Sequence, residues 1–318
     1  MEQLLKNTQA YRLIKKESEE NTYSHAYLLL LNDSRNLKES LKIFAKLFFV
    51  CEEEEENERK ARLIDLESFS DCLFFPAEGK KLTVEDAEKI KEESLLSPIE
   101  GMRKVFVLSD FAEANVQTQN KLLKLLEEPP EGVVFLLGTT SAFPVLTTVL
   151  SRTKKLEILP FSISEINATL YRLYGKKYDA ETLELCAAAS GGILGEAQNI
   201  LEGGYYKDLV ENAFSLVLEE EYRLPQIIKT VGETKYKKEL LSLLRLIFRD
   251  ALLVKMGTGK KEILLRSESV KIEETAKKYS LSALLYAQEG ISKAELEVQF
   301  NAVFPQCLEI CLAKIRKK

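Results

Sequence analysis

The sequence predicts an α/β domain built on a parallel sheet, followed by an all-α region that continues to the last residue. Two patterns support this fold class. In roughly the first half of the chain, short apolar runs alternate with helical stretches, which is typical of a parallel sheet covered by helices on both faces. In the second half, apolar residues recur at helical spacing instead. A chain of 318 residues is long enough for two or three domains.

Five strands are predicted in the first region, each a run of apolar residues bounded by polar or turn-forming residues. The fourth strand ends in Gly138-Thr139-Thr140. It therefore delivers hydroxyl groups to the carboxyl edge of the sheet, where open α/β sheets bind their ligands. The predicted strands are 26–31, 71–75, 104–108, 133–137 and 155–158.

A leucine-rich helix is predicted from Asn120 to Glu128, directly before the fourth strand. It ends at Pro129-Pro130, because proline cannot continue the helical hydrogen-bond ladder. Glu127 and Glu128 then lie in the last turn, where a carboxylate opposes the helix dipole at a cost of a few tenths of a kcal/mol. Either a basic partner within the domain or a subunit interface would offset that cost.

The second region is predicted to begin at Pro160-Phe161-Ser162, with Ser162 or Ser164 capping a helix that has Glu165 in its first turn. A glycine break at 191–192 separates two helices of a small helical domain, 161–204. A second helical domain, 205–318, follows. Its segment 240–248 is apolar around much of the helix and is therefore expected to be buried on more than one side. The glycine-containing segment 257–261 is predicted to be a connecting loop rather than a phosphate loop, because no strand precedes it.

The composition is typical of a cytoplasmic protein. The hydrophobic content of 45% permits a substantial core, no apolar run is long enough to span a bilayer, and the charged N-terminal segment does not resemble a signal peptide. Five scattered cysteines without a framework are interpreted as reduced thiols. Because the net charge is −5, DNA binding would need a local basic patch. The basic residues of the first region are interpreted mostly as ordinary surface residues: Lys80, Lys81, Arg103, Lys104, Lys121, Lys124, Lys154 and Lys155.

Three motifs resemble one family. The helix LLKLLEEPP (122–130), the strand FLLGTT (135–140) and the turn TVLSRTK (148–154) are similar to the clamp-loader branch of the AAA+ ATPases, machines that open sliding clamps onto primed DNA. The resemblance extends over most of 23–200. It implies an AAA+ domain of the P-loop type for 1–160, a helical lid for 161–204 and a helical collar for 205–318.

The phosphate loop that active members of this family require is degenerate. A G-x-x-x-x-G-K-[ST] loop surrounds phosphate with backbone N–H groups and neutralises its charge with the lysine. The corresponding segment, from Asn32 through Ser34 and Asn36 to Lys38, contains no glycine, and Glu39 follows Lys38 where the magnesium-binding hydroxyl would be. A register shifted by one residue, with Leu37 at the lysine position, leaves the loop equally broken. No nucleotide cofactor is therefore expected.

Three further features that the resemblance implies are missing. Ser109 replaces the first acid of the family's paired-acid motif, so that only Asp110 remains, interpreted as a strand-end residue or helix cap. Gly195 occupies the position of the lid arginine. Of the four-cysteine zinc pattern only Cys51 is present, which predicts no metal, since tetrahedral zinc needs four ligands. Together these losses predict a pseudo-ATPase, an accessory subunit of a DNA polymerase whose nucleotidyltransferase activity resides in another subunit.

Ser151 and Arg152 are retained. In the family this turn supplies an arginine finger to ATP bound by the adjacent subunit, so Arg152, with Ser151, is predicted to act in trans. The alternative is that Arg152 pairs with a carboxylate of its own domain. The implied partners are the gamma or tau ATPase subunits and the clamp-opening delta subunit, with the sliding clamp and primed DNA contacted through the complex. Two other functions remain open: an active ATPase with an unusual phosphate loop, and the delta subunit itself.

Overall fold

The computed structural model describes residues 1–257 and 262–318, so most of the predicted connecting loop 257–261 lies outside the described residues. The chain divides into two compact units, Met1–Pro160 and Phe161–Lys318. The division of the second unit into a lid and a collar stays a prediction. Within the described ranges, no helix is both long and apolar enough to cross a membrane.

The first unit, all of whose residues are described, contains a parallel five-stranded sheet of order β2-β3-β4-β1-β5. Every residue of β3 and β4 is buried, as expected for central strands covered on both faces. β4 is two residues longer than predicted, because Gly138 and Thr139 still pair with Leu29 and Leu30 of β1. The strands are β1 Ala26–Leu31, β2 Cys72–Phe75, β3 Lys104–Leu108, β4 Val133–Thr139 and β5 Lys154–Ile158.

Helices connect these strands. α6 begins at Val116 rather than at the predicted Asn120, because the side chain of Asn115 caps it by accepting a hydrogen bond from the Thr118 N–H at 2.9 Å. α6 ends at Glu127, one residue earlier than predicted, and the non-helical Glu128 joins it to the two prolines. The helices of the first unit are α1 Glu2–Lys6, α2 Gln9–Glu19, α3 Leu37–Lys46, α4 Glu54–Asp65, α5 Val84–Ser94, α6 Val116–Glu127 and α7 Thr147–Leu150.

The position of α3 against the sheet depends on Gly138 of β4. A Cβ atom at Gly138 would come within 2.5 Å of the Leu41 Cδ1 atom, so a larger residue would displace the Leu41 side chain. α3 therefore lies close against β4, and the segment that joins β1 to α3 is held at the carboxyl edge of the sheet.

The second unit is helical throughout its described residues. Ser162, rather than Ser164, caps α8 in a capping box with Glu165. The glycine break lies between α9 and α10, where Gly191 and Gly192 have φ angles of 62° and 83°. The described helices are α8 Ile163–Tyr174, α9 Ala180–Ala189, α10 Leu194–Gly203, α11 Tyr206–Leu218, α12 Leu224–Val231, α13 Lys237–Lys255, α14 Ser269–Lys278, α15 Leu281–Gln299 and α16 Phe304–Arg316.

α13 is the central helix of this unit and contacts α9, α11, α14 and α15. The leucines and aromatic residue of its 240–248 segment are buried, which confirms the prediction of burial on more than one side.

Candidate functional site

The segment between β1 and α3, predicted to be a degenerate phosphate loop, is closed by a buried carboxylate. Asp33 is buried, with only 3% of the residue exposed. Its Oδ1 atom accepts a hydrogen bond from the Asn36 backbone N–H at 3.0 Å, and its Oδ2 atom accepts one from Asn36 Nδ2 at 2.9 Å. A negative charge of the chain itself thus lies just before the N-terminus of α3, the kind of position where P-loop proteins bind phosphate.

Asp33 was not among the residues that the sequence analysis selected. The sequence could have indicated this role, because Asp33 lies three residues before Asn36 in a turn without glycine. Aspartate side chains in turns commonly accept hydrogen bonds from nearby backbone N–H groups. Of the selected loop residues, Asn36 is engaged with Asp33, whereas Asn32 and Ser34 are exposed.

Lys38, the remaining candidate phosphate ligand, is paired with Glu67. Its Nζ atom lies 2.7 Å from Oε1 and 2.8 Å from Oε2 of Glu67, and Lys42 approaches the same carboxylate at 3.1 Å. Burial would raise the pKa of Glu67, but the hydrogen bonds from Lys38 and Lys42 outweigh it and lower that pKa. The Lys38 charge is therefore neutralised within the first unit.

Ser109 and Gly195, which replace the paired acid and the lid arginine of the family, are both buried. The buried Ser109 donates its backbone N–H to the Phe75 carbonyl at 2.9 Å. Asp110 has a φ of 49° and leads into a 3-10 turn, 111–113, with its side chain making no capping hydrogen bond. Partial burial and the nearby Glu113 carboxylate raise the pKa of Asp110. Gly195 is the second residue of α10 in the other unit and is buried there.

Arg152 follows α7 and pairs with Glu127, the last residue of α6. Its Nε atom donates to Glu127 Oε1 at 2.6 Å, and Nη2 contacts the same oxygen. Its Nη1 atom donates to the Thr148 carbonyl at 2.9 Å and to Ser151 Oγ at 3.1 Å. The pairing within the domain that the sequence analysis gave as an alternative is thus present. It also supplies the basic partner that a carboxylate in the last turn of α6 needs.

The cysteines do not converge on a metal site in the described residues. Cys51 is half-buried, and its thiol lies 3.3 Å from Asn57 Oδ1, whereas Cys72 is buried in β2. Among residues 1–257 and 262–318, no three His, Cys, Asp or Glu side chains are grouped as a metal ion would require. The absence of zinc stays a prediction.

Most basic residues of the first unit have partners within it. The Arg103 guanidinium lies 4.4 Å from the Tyr23 ring centroid and donates to Ser18 and Asn21. These contacts favour the interpretation of ordinary surface residues over a DNA-binding patch. Of the other basic residues selected from the sequence, Lys81 pairs with Glu113, Lys121 with Glu88, Lys154 with Glu17 and Lys155 with Glu157. The interpretation as a surface residue is wrong for Lys104, which is buried in the central strand β3 with its Nζ atom 3.2 Å from Glu93 Oε2.

The parallel sheet, the loop and helix that follow β1, and the helical second unit define an AAA+ fold with a helical C-terminal region. Residues 6–162, essentially the whole first unit, match the family described as "DNA polymerase III, delta subunit". The family resemblance carried by the helix, strand and turn motifs is thereby confirmed for this part of the chain. Within the branch those motifs favour delta-prime, and a delta-prime relative is indeed found.

That relative is the DNA polymerase III subunit delta' of Bacillus subtilis, which is 24% identical over 263 residues, 79% of either chain. DNA polymerase III subunit tau of the same organism is 25% identical over 92% of this chain, which spans only 57% of tau. The Escherichia coli tau subunit is 29% identical over 44% of this chain and 22% of its own length.

Two solved structures are also similar. One is a DNA polymerase III gamma subunit-related protein from Thermotoga maritima, with 18% identity and a TM-score of 0.41 over 96% of this chain and 98% of that one. The other is the DNA clamp loader delta protein of Bacillus subtilis, with 16% identity and a TM-score of 0.36 over 97% and 100% of the two chains.

Proposed function

We propose that this chain is a delta-prime-type subunit of a bacterial clamp loader that does not hydrolyse ATP, helps to load the sliding clamp onto primed DNA, and supplies Arg152 to ATP bound by a neighbouring subunit. The observation that carries the proposal is the Asp33 carboxylate buried in the loop before α3. The polymerase activity itself belongs to another subunit of the assembly.

The loop chemistry supports the loss of nucleotide binding. A triphosphate needs free backbone N–H groups and an uncommitted lysine. Here the Asn36 N–H is already donated to Asp33, and Lys38 is paired with Glu67. A bound phosphate would also lie beside the Asp33 carboxylate, and two like charges at such a distance repel each other. The pairing of the loop's donors and the repulsion by the Asp33 carboxylate therefore both disfavour ATP binding.

The retained arginine supports a role in trans. Arginine suits contact with a phosphate because its planar guanidinium always carries charge and presents two donors side by side. The Arg152 side chain is 32% exposed, so a neighbouring subunit can reach it. The chain would then contribute to ATP hydrolysis at a site whose nucleotide it does not itself bind.

An exposed apolar face on α15 supports assembly through the second unit. Leu281 and Leu285 at the start of α15, and Leu296 and Phe300 at its end, are exposed, Phe300 by 83%, and they lie within about a third of the circumference around the helix axis. The opposite face of α15, which includes Leu284 and Ile291, is buried in the unit. Exposed apolar patches of this kind mark protein contacts, and the proposed partners are the gamma or tau subunits and the delta subunit.

A competing function is that of an active ATPase with an unusual phosphate loop, because the similarity to tau covers 92% of this chain. Calorimetry of the isolated chain with ATP and magnesium separates the two, with an intact tau subunit as the positive control. Absence of binding supports the delta-prime proposal, whereas micromolar binding with hydrolysis supports the ATPase. The delta alternative predicts that the isolated chain captures the sliding clamp directly.

A further inference from the structure

We propose that Glu127 is a positioning residue that parks Arg152 within its own subunit and exchanges it for the neighbour's phosphate when the ring assembles. The inference deepens the proposed function and rests on Arg152 acting as the finger. Its starting point is that the Arg152 guanidinium is already engaged on several sides within the first unit.

The donors of Arg152 can be followed one by one. A guanidinium has five N–H groups. Nε and Nη2 both point to Glu127 Oε1, while Nη1 serves the Thr148 carbonyl and the Ser151 hydroxyl. The edge formed by Nε and Nη2 is one of the two-donor edges with which arginine binds phosphate. Glu127 occupies this edge, and the hydrogen bonds of Nη1 to Thr148 and Ser151 occupy the other. A phosphate can therefore receive two parallel hydrogen bonds from Arg152 only after Glu127 or the Nη1 acceptors have been displaced.

Glu127 is the partner that exchanges most readily. Its side chain is 45% exposed and that of Arg152 is 32% exposed, so solvent competes for the pair and the interaction is weak. A nucleotide phosphate carries more negative charge than a carboxylate and offers several oxygens. Once a neighbour places that phosphate close by, the guanidinium is expected to prefer it.

Before assembly, the surroundings favour the parked arrangement. Glu127 is the last residue of α6, so its carboxylate adds to the partial negative charge of the last carbonyl groups, whereas Arg152 pairs with Glu127 and not with the following Glu128. This local charge attracts a cation. Because α6 and α7 contact each other within one unit, the exchange requires only a side-chain movement.

The test is Glu127→Gln in the reconstituted clamp loader. Glutamine keeps the size of the side chain but removes the charge that holds Arg152. We expect kcat for ATP to rise by up to about fivefold, the rate equivalent of an exposed ion pair, with KM unchanged. The change should fall on kcat because the finger contributes in the transition state rather than in substrate binding.

Glu128→Gln is the matched control, since it removes the same charge from the adjacent exposed residue and should leave kcat as in the wild type. In an Arg152→Ala background, Glu127→Gln should have no effect on kcat. Gel filtration and circular dichroism establish that each variant is folded and assembled.

The outcomes separate the two proposals. If Arg152→Ala lowers turnover but Glu127→Gln leaves kcat equal to or below the wild-type value, the finger stands and parking by Glu127 is overturned. If Arg152→Ala leaves turnover unchanged in an assembled complex, the finger itself is rejected, and the inference falls with it. An equal rise for Glu127→Gln and Glu128→Gln would indicate a general charge effect and would also overturn it.

Discussion

The carboxylate of Asp33 accepts hydrogen bonds from both nitrogen atoms of Asn36, at 3.0 Å from the backbone N–H and 2.9 Å from Nδ2. The same stretch of chain would have to wrap around a phosphate in an active P-loop protein. The loop is therefore closed by an acceptor group that the chain itself supplies.

The first prediction is that the isolated chain binds no ATP. Calorimetric titration with ATP and magnesium should give no saturable heat, because the Asn36 N–H and the Lys38 ammonium are already paired. Thermal unfolding should likewise be unchanged by ATP, since a ligand that does not bind the native state cannot stabilise it. Micromolar binding would contradict the prediction.

The second prediction concerns the stability provided by Asp33. Asp33→Ala should lower the free energy of unfolding by about 0.5–2 kcal/mol, because it removes the side chain that satisfies the Asn36 N–H. Asp33→Asn should lower it less, since an amide oxygen can still accept that bond. Urea denaturation of the full chain measures the change, with the exposed Ser34→Ala as the control. Equal midpoints for Asp33→Ala and wild type would show that the turn is held by other contacts.

The third prediction is that the protein contains no structural zinc. Cys51 and Cys72 lie in different settings, one half-buried after α3 and the other buried in β2. Protein purified without chelator should contain far less than one zinc per chain by elemental analysis, and a chelator should leave its unfolding temperature unchanged. A stoichiometric metal content would refute this prediction.

The fourth prediction is that residues 205–318 are needed for assembly. A chain truncated after Gly204 should keep its α/β unit folded, because the core of that unit is built from residues before 161. It should fail to join the complex in gel filtration, since the exposed face of α15 is lost. α9 also packs against α13, so residues 161–204 should lose order in the truncated chain. Assembly with unchanged affinity would show that the collar assignment is wrong.

The fifth prediction concerns Arg152. Arg152→Ala should leave folding and assembly nearly intact, because it removes a solvent-accessible ion pair, worth roughly 0–1 kcal/mol, and two surface hydrogen bonds to neighbouring residues. It should lower DNA-stimulated ATP turnover and clamp loading by the reconstituted complex. Fingers supplied in trans contribute on the order of 10³ to 10⁵ in rate at one site, although ATP sites that keep their own fingers dilute the total loss.

Arg152→Lys is the companion variant. It should recover little activity, because a point charge lacks the planar pair of donors. Wild-type turnover and loading in an assembled Arg152→Ala complex would return this residue to a structural role with Glu127.

The sequence by itself determined to a large extent the secondary structure elements of the first unit and the start of the second. Apolar runs predicted the five strands to within two residues, the two prolines after Glu128 predicted where α6 stops, and the start of α8 was predicted at Ser162 or Ser164, of which Ser162 is the cap. These features depend on interactions between residues close together in the chain, so local chemistry is sufficient to predict them. The early start of α6 at Asn115 was equally local and could have been recognised from its capping side chain.

Only the tertiary structure decided which side chains meet. Arg152 and Glu127 are 25 residues apart, and Lys38 and Glu67 are 29 apart. The strand order that places β4 between β1 and β3 also extends β4 to Thr139 by pairing it with β1. A sequence shows which charged side chains are expected to form ion pairs, but several oppositely charged residues could pair with each of them. The choice among them is made by the packing of the helices on the sheet, which brings one particular pair within hydrogen-bond distance.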